Sequence, residues 1–223
     1  MQAIEMIAGG SVAKLDEILI VRGSTYSQLL RWETEPMVSK QITGISIDFG
    51  WPRLTVTGHS MPDGWGCQIS RVTGMKQINS GDKEYRGTVI DANTIELNGI
   101  SPVDESGREW SAYISGGFLE YRTPVDLTGF TARMKIKNKE GGTVLASTEA
   151  GDAPLNIISI TLDAAAKTVL TTISAASTAA IEFSKGVTDL EMVSPAGKVV
   201  KLKLCKGVDN TPDPVRVTGE ITT

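Results

Sequence analysis

The feature that most restricts what this chain can fold into is its punctuation. Between Ile42 and Phe118 every short apolar or β-branched run ends in a Gly, Pro, Asn or Asp cluster: ITGISIDFGWPRLTVTG, HSMPDGWGCQISRVTGM, EYRGTVIDANTIELNGI, EWSAYISGG. Turns spaced roughly ten residues apart leave room for strands but not for amphipathic helices, the pattern of a small antiparallel barrel or sandwich. The cleanest hairpin runs through Thr88-Val89-Ile90, the turn Asp91-Ala92-Asn93, and Thr94-Ile95-Glu96-Leu97. Ile95 and Leu97 share one face and Thr94 and Glu96 the other, which marks a dry side and a wet side.

The flanks are also strand-like. Leu15 to Trp32 reads as two strands around Arg22-Gly23-Ser24, a hairpin or a kinked strand. The following ETEP at 33–36 predicts an interruption, because Pro36 has no N–H to donate and biases Glu35 toward extended geometry. A new unit is expected from Gln41. Beyond Leu119 the alternation resumes, with Ala132, Met134 and Ile136 opposed to Arg133, Lys135 and Lys137, then the turn Glu140-Gly141-Gly142. A second hairpin takes Leu190-Glu191-Met192 through Ser194-Pro195-Ala196-Gly197 to a return strand that sets Val200, Leu202 and Leu204 against Lys201 and Lys203. One helical turn or two is predicted over Ser174 to Ile181, capped by Ser174 or Ser177. Residues 209–223 contain NTPDP and no core-forming pattern, and are expected to leave the domain as a tail.

Charge and composition narrow the function. The chain has 223 residues and a formal net charge of -4, with its basic residues scattered, so no footprint for a phosphate backbone is present and nucleic acid is not an expected partner. The N-terminus lacks a basic segment ahead of an apolar run and no stretch approaches the roughly 20 apolar residues of a membrane helix, so neither a secretory signal nor a membrane is expected. Cys67 and Cys205 are too few for a zinc site or a disulfide framework; they read as buried small hydrophobes of a protein made in a reducing cytoplasm.

Any Ser-His-Asp or Cys-His catalysis would have to use His59, the single histidine. Cys67 and Asp63 are near it in sequence, but Cys67 falls in a strand, His59 in a turn, and no GxSxG motif is present. Asp63-Gly64 and Ser80-Gly81-Asp82 lack the dense acidic spacing of a calcium loop. The Gly pairs at 9–10, 116–117 and 141–142 are not followed by Lys-Ser/Thr. Asp16-Glu17 and Glu33 with Glu35 read as solvated acids rather than a glycosidase pair. No catalytic residue, metal or cofactor is expected. The tryptophans are Trp32, Trp51, Trp65 and Trp110. The tryptophans are expected to sit in a core or a subunit interface, and Trp51 and Trp65, in the punctuated region, are the candidate partner contacts, since tryptophan anchors subunit interfaces; an exposed aromatic platform for sugar is the alternative. Ile4, Met6 and Ile7, ahead of Gly9-Gly10, form an apolar arm expected to dock on a neighbouring subunit, or otherwise to add a strand to the chain's own sheet.

Two resemblances attach to these residues. Gly58-His59, Asp63-Gly64, Gly74-Met75, Ile78-Asn79 and Tyr113 to Gly117 resemble the turn pattern of the small β-module of phage tail proteins that takes its name from the first catalytic cysteine half-domain of ubiquitin-activating enzymes; in that setting it implies a barrel-like spacer and no catalytic thiol. Pro124 to Arg133, which contains Asp126-Leu127-Thr128-Gly129, together with Ser177 to Ile181 and Asp189 to Gly197, is similar to the Ig-like β-sandwich at the N-terminus of phage baseplate upper proteins. In that family Arg-Gly-Ser or Arg-Gly-Asp precedes Asp-Leu-Thr-Gly closely. Here Arg22-Gly23-Ser24 lies about a hundred residues ahead of it, so the resemblance implies that the small module is spliced into the sandwich, with both joints close together. Independently of either family, Asp126 and Thr128 suit turns that bond local amides and Gly129 suits positive φ, a strand-entry device.

The fold class read from the sequence is therefore all-β: an Ig-like antiparallel sandwich from residues 14–40 and 119–207, an inserted small β-barrel-like module at 41–118, an N-terminal arm at 1–13 and a C-terminal tail at 208–223. The function expected is that of a non-enzymatic structural protein of a tailed-phage virion, joining tail, baseplate or fibre parts in several copies after assembly in the host cytoplasm. A carbohydrate-binding receptor module and a capsid decoration or head-fibre protein are the alternatives.

Overall fold

The computed structural model describes residues 4–7 (backbone only), 17–48, 50–81, 83–103, 106–202, 204 and 212–219. Strands make up 54% of it and helix 6%, and the sheets are antiparallel for the most part, so the protein is an all-β sandwich. In chain order the strands are β1 (Ile4–Ile7), β2 (Ile18–Val21), β3 (Tyr26–Gln41), β4 (Gly44–Asp48), β5 (Trp51–Thr55), β6 (Trp65–Thr73), β7 (Tyr85–Asp91), β8 (Thr94–Leu97), β9 (Ser115–Pro124), β10 (Thr131–Lys137), β11 (Val144–Ser147), β12 (Ile158–Asp163), β13 (Thr168–Ile173), β14 (Lys185–Val193), β15 (Val199–Leu202) and β16 (Asp213–Thr218). The helix α1 (Ala175–Ala179) is one capped turn, with Ser174 Oγ accepting from the Ser177 amide at 3.1 Å.

The chain divides into two compact units, Met1–Glu33 with Val125–Thr223, and Thr34–Pro124. In the first, the outer unit, β12-β13-β3 lie side by side with β1 parallel to β3, and β11-β10-β14-β16-β2 form the second sheet, with β15 also on β14. The dry faces of these strands supply one core, including Ile18, Ile20, Leu30, Trp32, Met134, Ile136, Leu190 and Met192. Trp32 meets Phe130 edge-on, ring centroids 5.7 Å apart at 88°. The alternation of β10 is the one read from sequence: Met134 and Ile136 are buried. The Asp126 element also behaves as its residue types require. Asp126 Oδ1 accepts from the Thr128 amide at 3.2 Å and hydroxyl at 2.8 Å. Gly129 takes φ +72, and a Cβ there would stand 2.9 Å from Pro195 Cγ.

In the second, the inserted unit, the order is β9-β6-β7-β8-β5-β4, with the later residues of β3 beside β9. Its core contains Leu54, Trp65, Ile69, Ile95, Leu97 and Leu119. The sheet curls strongly: consecutive amides leaving β3 donate to opposite neighbours, Ile42 to the Gly117 carbonyl and Thr43 to that of Thr55, both at 2.9 Å. No ladder closes it into a barrel among the described residues. The β7–β8 hairpin matches the sequence reading, as does the β14–β15 hairpin.

Four expectations need correction. Residues 18–32 are not a hairpin: β2 pairs in parallel with β16, and β3 pairs antiparallel with β13, so Arg22-Gly23-Ser24 is a corner between two sheets. Arg22 holds that corner by donating to the carbonyls of Ile181 at 2.8 Å and Phe183 at 3.0 Å. Nor does ETEP interrupt: β3 runs unbroken through Pro36, whose carbonyl accepts from the Thr123 hydroxyl at 2.7 Å, while Glu35 pairs with Arg122. The inserted unit accordingly starts at Thr34 and ends at Pro124, seven and six residues wider than expected, and next to its joints the Val125 amide donates to the Trp32 carbonyl at 2.9 Å. Finally, residues 213–218 do not leave as a tail. β16 lies between β14 and β2, with Val215 and Val217 buried and the Asp213 carboxylate accepting from the Leu204 amide at 2.9 Å.

Candidate functional site

His59 is where any imidazole chemistry would be sought. It is buried, its Nδ1 accepts from the Met61 amide at 3.0 Å, and its Nε2 lies 2.8 Å from the Asp91 carbonyl. An amide must donate to Nδ1, so the proton sits on Nε2 and goes to Asp91: a neutral ring with both nitrogens engaged. The Tyr121 hydroxyl donates to the His59 carbonyl, and burial pushes that phenol up from its ordinary range. The turn that holds Asp91 is closed by Asn93, whose amide donates to Asp91 Oδ1 at 2.7 Å and whose Oδ1 accepts from the Gly58 amide at 2.9 Å. The Asn93 amide also holds the Asp91 carboxyl below its usual value. The Gly58-His59 and Asp91-Ala92-Asn93 segments are thus one hydrogen-bonded clamp. Neither ring nitrogen is left to take a proton from a nucleophile or to bind a metal.

Cys67 is buried in the same core as Trp65 and registers opposite Tyr85 on β7, whose phenol is pushed up by burial and then by Cys67. Among the described residues no group of three or more His, Cys, Asp or Glu side chains is placed to hold a metal ion. Asp63 is a structural acceptor, its Oδ1 taking the Val89 amide at 2.9 Å. Cys205 lies outside the described residues.

The candidate partner contacts separate. Trp65 is fully buried and belongs to the core of the inserted unit, which corrects its assignment as a contact. Trp51 is 38% exposed at the β4–β5 hairpin, opposite Asp48, with Arg53 two residues on and ion-paired to Glu96 at 2.8 Å. Ile4, Met6 and Ile7 lie on β1, whose backbone pairs in parallel with β3 in the chain's own sheet, Ile4 with Leu30 and Ile7 with Glu33. Their side chains are outside the described residues. Sequence reading passed over Ile114, Arg71 and Phe118, at or beside the β6–β9 ladder. The signal was an isoleucine inside the closing Tyr-x-Ser-Gly-Gly pattern, where alternation assigns no face.

On the outer unit, the charged faces of β10, β14 and β15 border a shallow hollow of about 400 Å³. Its charges cancel in pairs: Arg133 with Glu191 at 2.6 Å, Lys135 with Glu149 at 2.6 Å and Asp152 at 2.9 Å, Lys201 with Asp189 at 2.6 Å. Glu191 pushes the Arg133 guanidinium up, Asp152 and Glu149 do the same to Lys135, and Asp189 to Lys201. A cationic ladder answered by carboxylates on the same surface is a solvated face, and has no surplus charge to seize a substrate. A second, hydroxyl-lined hollow of about 580 Å³ lies beside Thr25, Ser159, Thr172 and Ser174.

No protein-family model matches the chain, and none of the curated proteins matches it. Among the described residues, no helix is long and apolar enough to cross a membrane.

Proposed function

We propose that this chain is a structural, non-enzymatic protein of a tailed-bacteriophage virion, which attaches or connects tail, baseplate or fibre components through protein–protein contacts. The observation that carries the reading is the splice. The family resemblances require a small β-module set into a sandwich between the Arg-Gly-Ser corner and the Asp-Leu-Thr-Gly element, and the chain leaves its outer unit after Glu33 and re-enters it at Val125. The absence of chemistry in the proposed role is supported by His59, whose ring is spent on two backbone groups. The partners are other virion proteins and further copies of this chain, met after assembly in the host cytoplasm; neither nucleic acid nor membrane is part of the contact, and no cofactor takes part. Affinity in such a role comes from buried area multiplied over repeated copies.

A low-resolution map of the intact particle, with this chain placed in it, tests the proposal. Density at the tail, baseplate or fibre base is the expected result. Placement on the capsid surface would favour the decoration or head-fibre reading, and absence from the particle would overturn the virion assignment. Glycan binding lost in Trp51→Ala would instead point to the receptor-module alternative.

A further inference from the structure

Leu97-Asn98-Gly99 is the one place in the sequence where an asparagine precedes a glycine. It forms the exit from β8, and both Asn98 and Gly99 are exposed. The Asn98 amide donates to the Arg86 carbonyl at 2.9 Å, which ties the backbone to the end of the β7–β8 ladder. Beyond that bond the chain turns outward. Gly99 takes φ +70, and a Cβ there would meet nothing within 4 Å. Among the described residues the Gly99 amide donates no hydrogen bond, so its nitrogen is open to base and to a neighbouring electrophile. With no Cβ on Gly99, nothing on that residue obstructs the approach of its nitrogen to the Asn98 side chain.

The fold supplies the second half of the arrangement. Asn98 Oδ1 accepts from the Thr88 hydroxyl at 2.8 Å. Thr88 comes from β7, where it stands opposite Glu96, so the β7–β8 register brings its hydroxyl to a carboxamide ten residues away in sequence. A hydroxyl that donates to a carboxamide oxygen draws electrons from Cγ and stabilises the charge the oxygen takes up when a nucleophile adds there. Asn79 is the contrast. Its Oδ1 accepts from the Val72 amide at 2.9 Å, and its Nδ2 donates to the Val72 carbonyl at 3.1 Å. The nitrogen that would have to attack it, the Ser80 amide, is already donated to the Ile69 carbonyl at 2.8 Å.

We propose that Asn98 is a self-modification site, converted by its own neighbour Gly99, with Thr88 as the positioning residue, into aspartate and isoaspartate. Hydroxide takes the Gly99 amide proton and the nitrogen adds to Asn98 Cγ. As the new N–Cγ bond forms, the Cγ–Nδ2 bond breaks and ammonia leaves with a proton from water, giving a five-membered succinimide. Water then opens the ring at either of its two carbonyls, and nothing is oxidised or reduced. Each converted chain carries one more negative charge than the formal -4 of the sequence. The new carboxylate lies two residues from Glu96, which already holds Arg53 at 2.8 Å. In the isoaspartate form the backbone also gains a carbon at the point where Asn98 is tied to Arg86. This chemistry needs no partner and is independent of the chain's place in a particle.

The full folded chain, held at mildly alkaline pH and sampled by peptide mass mapping, should accumulate aspartate and isoaspartate at position 98 with an equal amount of ammonia released. The Asn79 peptide should stay intact over the same time. Thr88→Val should slow conversion in the folded chain about five- to tenfold, the worth of one hydrogen bond to the developing oxyanion. In urea, where no fold brings the hydroxyl to Asn98, the same variant should convert at the wild-type rate. Thr88→Ser keeps the hydroxyl and should convert like the wild type when folded, which separates the hydrogen bond from any general loosening of the hairpin. The proposal would be overturned by a folded chain that keeps its Asn98 amide while the chain in urea converts fully, by a folded Thr88→Val chain that converts as fast as the wild type, or by equal conversion at Asn79.

Discussion

His59 shows how a residue type suited to catalysis can be consumed by structure. Its buried ring joins the Met61 amide to the Asp91 carbonyl. His59→Ala leaves the buried Met61 amide and the part-buried Asp91 carbonyl without their partner and should cost about 1–3 kcal/mol, read as a lowered urea midpoint. Trp65→Ala, opening a cavity in the same core, should cost about 3–5 kcal/mol, whereas Trp51→Ala should change stability by no more than about 0.5 kcal/mol. Asp126 makes a prediction in pH. Hydrogen bonds from Lys167 first, and then from Thr128, lower its carboxyl from the ordinary aspartate range to about 2. The unfolded chain therefore takes up this proton first on acidification. Stability from the group is complete above about pH 4 and lost as pH falls toward 2. In paired melts, the gap between the wild type and Asp126→Asn should be constant at neutral pH and close over that window.

At the scale of the element, β16 has the largest consequence for the outer unit. It is hydrogen-bonded on both sides, antiparallel to β14 and parallel to β2, and it buries Val215 and Val217. Each valine contributes about 1.5–3 kcal/mol by burial alone. A chain ended at residue 211 loses both, together with two ladders, and is expected to lose the cooperative melting transition of the outer unit. By contrast the charged ladder on β10 and β14 is open to water, so Arg133→Ala should leave the melting temperature almost unchanged, and what loss there is should shrink in salt.

For the whole molecule, the consequence of the splice is that one unit is built from two distant stretches of chain. The stretches before Thr34 and after Pro124 are held to each other by the β3–β13 and β2–β16 ladders and a shared core. A protease site placed at the exposed Gly99 turn should therefore cut the chain without releasing the flanking fragments. They should co-elute in native buffer and part only in denaturant; separation without denaturant would show that the outer unit is not a single folded body.

Much of this was legible in advance because strand alternation and turn chemistry are local. Met134 and Ile136 facing inward, the Asp91-Ala92-Asn93 turn, the one-turn helix behind Ser174 and the Asp126-to-Gly129 strand entry each depend on residues within a few positions of one another. Pairing is not local. Ile18 to Val21 pairs with a strand almost two hundred residues later, and Pro36 stays in register because Thr123 reaches its carbonyl from another strand. The short alternation around Val215 and Val217 becomes a strand only because β14 and β2 leave a gap that it fills. The candidate contacts divide in the same way: residue type marked Trp51 and Trp65 alike, but whether an indole meets solvent or core depends on how the sheet curls. Side-chain period and turn preference are properties of the local chain, whereas burial depends on partners brought together from distant segments, and that was decided only in three dimensions.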